Sequence, residues 1–262
     1  MDIIVCIKQV PATIEVKMDQ SKRTLIREGV ESEVNPFDLY ALEEGLRLQT
    51  RYGGKLSAIS MGPPQTESAL RDTLALGYEK AVLLSDKAFA GADTLATAYA
   101  LACGIRKLGH FDLIVCGLKT TDGDTGQVGP ALSEELGISH VGYVKKIVEA
   151  KEKSIVVTRS LDDFYEDVEA PLPCLITVTK ETNEPRLPTF KGKLAARKAS
   201  IETWNANDIA GSLERLGSKG SPTEVVKIFT PSPRSAGEII QGDPKAQASR
   251  LVRILLERKI LQ

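Results

Sequence analysis

The order of apolar runs is what most restricts the fold of this chain. Short stretches rich in Val and Ile lie over residues 3–8, 55–60, 81–85, 113–116, 155–158 and 174–179, alternating with longer helical patterns. The first, third and fourth are nearly continuous in apolar residues, as expected of strands covered on both faces. Between them, Asn35-Pro36-Phe37-Asp38 reads as a helix start, with Asn35 as N-cap, Pro36 in the first helical position and Asp38 in the first turn. A second helix is expected after Gly62-Pro-Pro64 and up to Gly77, and a third from Asp93-Thr94 to Gly109. Such alternation predicts an α/β fold with a doubly wound, mostly parallel sheet, helices on both sides and right-handed connections.

Past residue 180 the character changes. Residues 181–200 are polar and basic, with Pro185, Pro188 and the run Lys191-Gly-Lys-Leu-Ala-Ala-Arg-Lys198, and they show neither strand nor helix period. They read as a solvated basic face or as an extended arm resting on another surface. One more helix is expected, with Asp243 as N-cap, Pro244 after it, and Ala248, Leu251, Val252 and Leu255 on one face. That face needs a partner surface, from the chain's own domain or from a second subunit. The expected division is therefore residues 1–184 as the α/β domain and 185–262 as a loop and C-terminal arm.

Composition excludes several classes. The net charge of −1 leaves no overall basic field for nucleic acid. No apolar run approaches the roughly 20 residues that cross a bilayer, and the first residues carry no cationic, cleavable signal, so a cytoplasmic protein is expected. The four cysteines form no C-x-x-C and default to buried small hydrophobes. With two histidines, no metal site is expected.

The segment Lys119-Thr-Thr-Asp-Gly-Asp-Thr-Gly-Gln-Val-Gly-Pro130 carries the chemistry. It follows the strand pattern Phe111-Asp-Leu-Ile-Val-Cys-Gly117 and runs into a helical one, Ala131-Leu-Ser-Glu-Glu-Leu136, closed by Gly137. Strand, glycine-rich turn and helix N-terminus together present backbone N–H groups to an anion. Gly123, Gly126 and Gly129 have no Cβ to hold a phosphate away, and Thr120, Thr121, Thr125 and Gln127 add polar groups. A plain surface turn is the competing reading, since the segment matches neither common phosphate-loop pattern. Asp122 and Asp124 would repel a phosphate they faced, so they are expected to cap the turn or bond amides, with Mg²⁺ binding as the other option. In a parallel sheet, ligands sit outside the carboxyl ends of the strands, where the winding reverses. Gln9-Val10-Pro11, Met61 to Pro64, Ser85-Asp86 and residues 120–130 all leave such ends. This suits an adenine nucleotide in a Rossmann-like fold, with Met61 against the purine. No nucleophile–base–orienter set is present, which favours binding over hydrolysis. An ATP-using enzyme of a related fold would rely on Lys119 and Asp124.

Six motifs now carry a resemblance: Val5-Cys-Ile-Lys-Gln-Val-Pro11, Val34-Asn-Pro-Phe-Asp38, Ile59-Ser-Met-Gly-Pro-Pro64, Asp122-Gly-Asp-Thr-Gly-Gln-Val-Gly-Pro130, Pro171-Leu-Pro-Cys-Leu-Ile-Thr-Val178 and Asn183-Glu-Pro-Arg186. In order and spacing they resemble the beta (small) subunit of electron transfer flavoproteins over nearly the whole chain. The resemblance implies a heterodimer with an alpha subunit that holds its own FAD. It also implies an adenine nucleotide bound here by Cys6, Asn35, Pro36, Phe37, Asp38, Met61 and the loop Lys119, Thr120, Thr121, Asp122, Gly123, Asp124, Thr125, Gly126, Gln127, Val128, Gly129 and Pro130. In housekeeping members that nucleotide is a structural AMP. In electron-bifurcating members it is a second FAD that takes hydride from NADH, sending one electron to ferredoxin or flavodoxin and one through the alpha subunit to a flavin dehydrogenase of acyl-CoA or lactate type. The flavin site then works only within the complex, so the chain is an electron-carrier subunit more than an enzyme by itself.

The chain resembles the bifurcating branch in its compact glycine loop, in Ala90-Gly-Ala-Asp-Thr-Leu-Ala-Thr97, which adds Asp93, Thr94 and Thr97 to the FAD contacts, and in Gly220-Ser-Pro-Thr-Glu-Val-Val-Lys-Ile-Phe-Thr-Pro231. It departs at Lys119-Thr-Thr121 and at Gly126; Lys119 either adds charge to a pyrophosphate or points to solvent. By the same resemblance residues 185–198 correspond to the family's dehydrogenase-recognition loop, with Phe190 at the anchor position; a loop covering this chain's own nucleotide is the other reading.

Overall fold

The computed structural model describes residues 1–12, 32–226, 237 and 239–261, together with the backbone at 18–19 and 24–25. Residues 227–231 of the tail motif lie outside the described residues. The chain divides into two compact units, Met1–Val225 and Val226–Gln262.

The first unit opens with β1 (Ile3–Cys6), β2 (Gln9–Pro11), the short pair β3 (Met18–Asp19) and β4 (Thr24–Leu25), and β5 (Ser32–Val34), which pairs with β2. Then follow α1 (Pro36–Tyr52), β6 (Leu56–Met61), α2 (Glu67–Leu76), β7 (Lys80–Leu84), α3 (Thr94–Leu108), β8 (Leu113–Gly117) and α4 (Val128–Leu136). After them come β9 (Ser139–Ala150), β10 (Ser154–Ser160), β11 (Tyr165–Pro171), β12 (Cys174–Val178), α5 (Phe190–Lys198) and β13 (Glu202–Trp204).

A nine-stranded sheet runs β11-β10-β9-β12-β8-β1-β6-β7-β13. The strands from β9 to β13 in that order are parallel; β10 and β11 add an antiparallel edge. The chain steps outward from β1 to β6 and β7, then crosses back to β8 on the other side of β1. The winding therefore reverses between β1 and β8. Two apolar layers cover the sheet. Leu42, Leu46 and Leu70 of α1 and α2 pack with Ile3, Val5 and Val115. On the opposite face, Leu101 and Ile105 of α3 and Leu132 of α4 pack with Ile4, Ile59 and Ile114. Each fully buried Leu at 42, 70 and 132 contributes about 2 kcal/mol by leaving water. β1, β8 and β12 are buried nearly throughout, which is why they read as unbroken apolar runs.

All six expected strands are present, and so are the three expected helices. Residues 190–198, which show no period in sequence, form α5. Thr189 caps it by accepting from the Gly192 N–H, Lys, Ala and Leu support it, and only Ala196 is buried, so no apolar stripe marks it. β9 and β11 also escape the apolar-run pattern. β11 is an edge strand whose charges, Glu166, Asp167 and Glu169, accept from Arg159, Thr158 and Ser154 of β10. Residues 185–225, grouped in sequence with the arm, belong to the first unit by their contacts: β13 pairs with β7, and Arg71 of α2 donates to the carbonyls of Ala196 and Ala199. Ahead of them, Arg186 grips the buried Glu43 of α1 through Nε and a terminal nitrogen at 2.7 and 2.9 Å.

In the second unit α6 (Pro244–Glu257) starts where expected, with Asp243 accepting from the N–H groups of Lys245 and Ala246. Leu251, Val252 and Leu256 on it are exposed. Among the described residues no helix is long and apolar enough to cross a membrane.

Candidate nucleotide site

A cavity of about 1350 Å³ opens at the carboxyl ends of the central strands, where the winding reverses. Cys6 and Cys116 lie at its base, with Met61 and Pro64 from the end of β6 on one side. Two walls face each other across it. One is the glycine-rich loop at 119–129, and the other is the stretch from Ser85 to Thr97 that follows β7.

The glycine-rich wall is held from below by Asn35. This side chain is fully buried and occupies the N-cap position of α1, yet it makes no capping bond. Instead its Nδ2 donates to the Lys119 carbonyl at 2.9 Å and its Oδ1 accepts from the Thr121 N–H at 3.1 Å. An amide carries both a donor and an acceptor, so one side chain satisfies both backbone groups of the loop. Beside it, Asp38 is buried and accepts from the Lys8 N–H at 2.7 Å. Burial pushes its carboxyl up to about 7, against hydrogen bonds from Asn35 and Lys8 that pull it down. Gly117 permits this approach. A Cβ there would lie 2.3 Å from the Asp38 carboxylate and 2.7 Å from the Phe37 backbone.

Of the two loop aspartates, Asp122 bonds an amide as expected, accepting from its own N–H and from the Thr120 hydroxyl, and both are also held by lysines. Lys8 Nζ donates to both oxygens of Asp122 at 2.7 Å, and Lys119 Nζ pairs with Asp124 at 2.7 Å while lying over the Phe37 ring. Burial pushes the Asp122 carboxyl up, but Lys8, joined by the Thr120 hydroxyl and the Asp122 N–H, more than offsets this and leaves it below the usual range. Both loop carboxylates are thus neutralised by lysines, which removes the repulsion an incoming anion would meet. The three loop glycines differ in purpose. Gly126 takes a left-handed φ of 63°, and Gly123 leaves open space, with Thr120 Oγ1 3.4 Å from where a Cβ would sit. Gly129 instead lets α4 settle on β12, since a Cβ would come within 2.5 Å of Thr177. The first turn of α4 leaves the N–H groups of Val128 and Gly129 without acceptors in their own helix.

The second wall is anchored from far along the chain. Asp93 caps α3 by accepting from the N–H groups of Leu95 and Ala96, each at 3.0 Å. Its other oxygen accepts from the Thr223 N–H and hydroxyl at 3.2 and 2.8 Å, while the Asp93 N–H donates to Ser221 Oγ at 2.8 Å. Asp86 accepts from the Ala88 N–H and the Ala206 N–H, both at 3.0 Å, and these bonds hold its carboxyl below the usual range. The walls meet where the Thr94 hydroxyl donates to Gln127 Oε1 at 3.0 Å.

Of the residues singled out in sequence, Cys6, Asp38, Met61, Asp93, Thr94, Thr97, Lys119, Thr120, Asp122, Gly123, Thr125, Gly126, Gln127, Val128 and Gly129 line the cavity. Asn35, Pro36, Phe37, Thr121, Asp124 and Pro130 do not; Asn35 acts from behind the loop, and Asp124 is turned to Lys119. Lys8, Thr66, Phe89 and Leu101 line it without having been singled out. The position of Lys8, two residues beyond the end of a central strand, is the signal that would have found it. Phe190, at the start of α5, is 79% exposed.

Residues 22–209 match the Electron transfer flavoprotein domain family. This chain belongs to the electron transfer flavoprotein family, as a beta subunit. It is 48% identical over its whole length, and that of its relative, to the electron transfer flavoprotein subunit beta of Thermoanaerobacterium thermosaccharolyticum. It is 43% identical, again across both full chains, to the caffeyl-CoA reductase-Etf complex subunit CarD of Acetobacterium woodii. Protein FixA of Azotobacter vinelandii shares 43% identity over 94% of this chain and 91% of its own. Beta subunits of this family work with an alpha subunit.

Proposed function

We propose that the cavity between the two walls binds FAD, that the chain pairs with an alpha subunit carrying a second FAD, and that the complex oxidises NADH and divides its electrons. Size is the observation that carries this reading. The cavity, at about 1350 Å³, exceeds the roughly 300–1,000 Å³ of a pocket enclosing a drug-sized ligand. A mononucleotide such as AMP would leave much of it empty, whereas a dinucleotide reaches from the glycine-rich loop to the second wall. The residues fit the group. Gly123 and the N–H groups opening α4 suit a pyrophosphate, Thr120 and Thr125 add hydroxyls, and Met61 and Leu101 supply apolar surface. Lys8 and Lys119 keep the loop carboxylates from opposing a phosphate.

When bound, FAD supplies hydride acceptance and the release of electrons one at a time. The chain would bind and orient it, with Cys6, Met61 and Cys116 near the ends of β1, β6 and β8 lining the site. CarD is named as a subunit of a caffeyl-CoA reductase–Etf complex, which favours a dehydrogenase acting on CoA esters as one acceptor. We take a flavin dehydrogenase of acyl-CoA or lactate type as that acceptor and ferredoxin or flavodoxin as the other. Phe190 and the exposed Leu187, beside Lys191 and Lys193, suit docking on that dehydrogenase. The ATP-using alternative draws less support, because its two candidate groups, Lys119 and Asp124, are engaged with each other. Extraction of nucleotide from the purified heterodimer tests the reading. Two FAD per heterodimer is the expected result; one FAD with one AMP overturns it.

A further inference from the structure

Cys6 ends β1, and Cys116 stands one residue from the end of β8; the two are register partners in neighbouring parallel strands. Val5 and Val115, the residues before them, pack towards α1 and α2. The two cysteines therefore share the opposite face, beside α3 and α4, and both lie at the base of the cavity. Register partners in adjacent strands have Cα atoms about 4.7–4.9 Å apart. That separation lies within the ~4.4–6.8 Å that a disulfide spans. The thiols are close enough for a hydrogen bond between them. Both are free, and their 7% and 6% exposures leave the cavity as the route to them. The other cysteines do not share this setting: Cys103 sits within α3, and Cys174 lies in the layer beneath α1.

We propose that Cys6 and Cys116 form a modification site at which a peroxide, entering the empty cavity, closes an intrachain disulfide, and that a bound nucleotide shields the pair. One sulfur attacks a peroxide oxygen, the O–O bond breaks, water leaves and a sulfenic acid remains. The second sulfur displaces the hydroxyl as another water while the S–S bond forms. Two electrons and two protons pass in all from the thiols to the peroxide. The neighbouring Cys6 thiol and burial push the Cys116 thiol well above its ordinary value, so Cys116 stays protonated and reacts slowly. Access through the cavity then sets the rate. The shielding rests on the nucleotide reading given above; the linkage does not.

The test treats the full chain, in complex with its alpha subunit and freed of nucleotide, with hydrogen peroxide, followed by alkylation and trypsin digestion. A linked pair of peptides, residues 1–8 with 108–119, is expected. Saturating FAD is expected to slow its formation at least tenfold. Cys174→Ser keeps the linkage and Cys116→Ser abolishes it. Sulfinic acid at either cysteine without linkage, or linkage through Cys103 or Cys174, overturns the proposal. Linkage at the same rate with and without nucleotide upholds the thiol pair and counts instead against the nucleotide reading.

Discussion

The wall at residues 119–129 and the wall at 85–97 border the same cavity, yet their supports come from different distances along the chain. The first hangs on Asn35, Lys8 and Asp38, side chains at the ends of β1 and β5 and in the first turn of α1. The second hangs on Ala206, Ser221 and Thr223, which return to it after more than a hundred residues. One wall is thus part of the sheet's own rim; the other depends on the segment that leads out of the first unit. If this contrast is right, each wall can be loosened without the other, apart from the Thr94–Gln127 contact.

Beneath the glycine-rich wall, Asp38 offers the largest effect. Its pKa is raised from 3.8 to about 7. Between those values the native state holds a proton that the unfolded state has released, so stability falls as pH rises through the window. The loss is about 4 kcal/mol at full ionisation. Urea unfolding of Asp38→Asn from pH 4 to 8 should show that slope removed. A slope that persists places the titrating group elsewhere, the second wall included.

Asn35→Ala should come next, at about 2–3 kcal/mol, because it leaves a buried carbonyl and N–H without partners. Amide exchange should rise at 119–129 and stay unchanged at 85–97; equal rises in both would show that the walls move as one. Asp93→Ala removes a helix cap and a tie to Thr223, at about 1–2 kcal/mol. The exchange pattern should then reverse, with the rise confined to 85–97. Thr223→Val is the smallest, at about 1 kcal/mol, since it removes one hydroxyl bond and leaves the cap in place. It should raise exchange near Asp93 alone, and a loss as large as that of Asp93→Ala would mean the tie matters more than the cap.

The same contrast explains what could be read from the sequence. The strand order and the glycine-rich wall were legible because burial on both faces gives unbroken apolar runs, and a turn that exposes amides needs glycine within a few residues. Even there, Asn35 was placed correctly and given the wrong bond. N-cap preference is a local property, whereas its actual partners, Lys119 and Thr121, are set by how β8 lies beside β1. The lysines that neutralise Asp122 and Asp124 escaped in the same way, since no motif marks them. Asp93 was legible as a helix start; its hold on Thr223 was not, because a hydroxyl more than a hundred residues away leaves no periodic trace. α5 went unseen because it buries a single alanine.

The chain's one tryptophan, Trp204, lies between the ammonium groups of Lys80 and Lys107, and its carbonyl accepts from the N–H of Ser85, where the second wall begins. Indole emission shifts when nearby cations move or water reaches the ring, so this residue is a built-in optical probe of one side of the cavity. Fluorescence recorded while the glycine-rich side is perturbed should stay constant, and any change in it reports on the strand that carries Ser85.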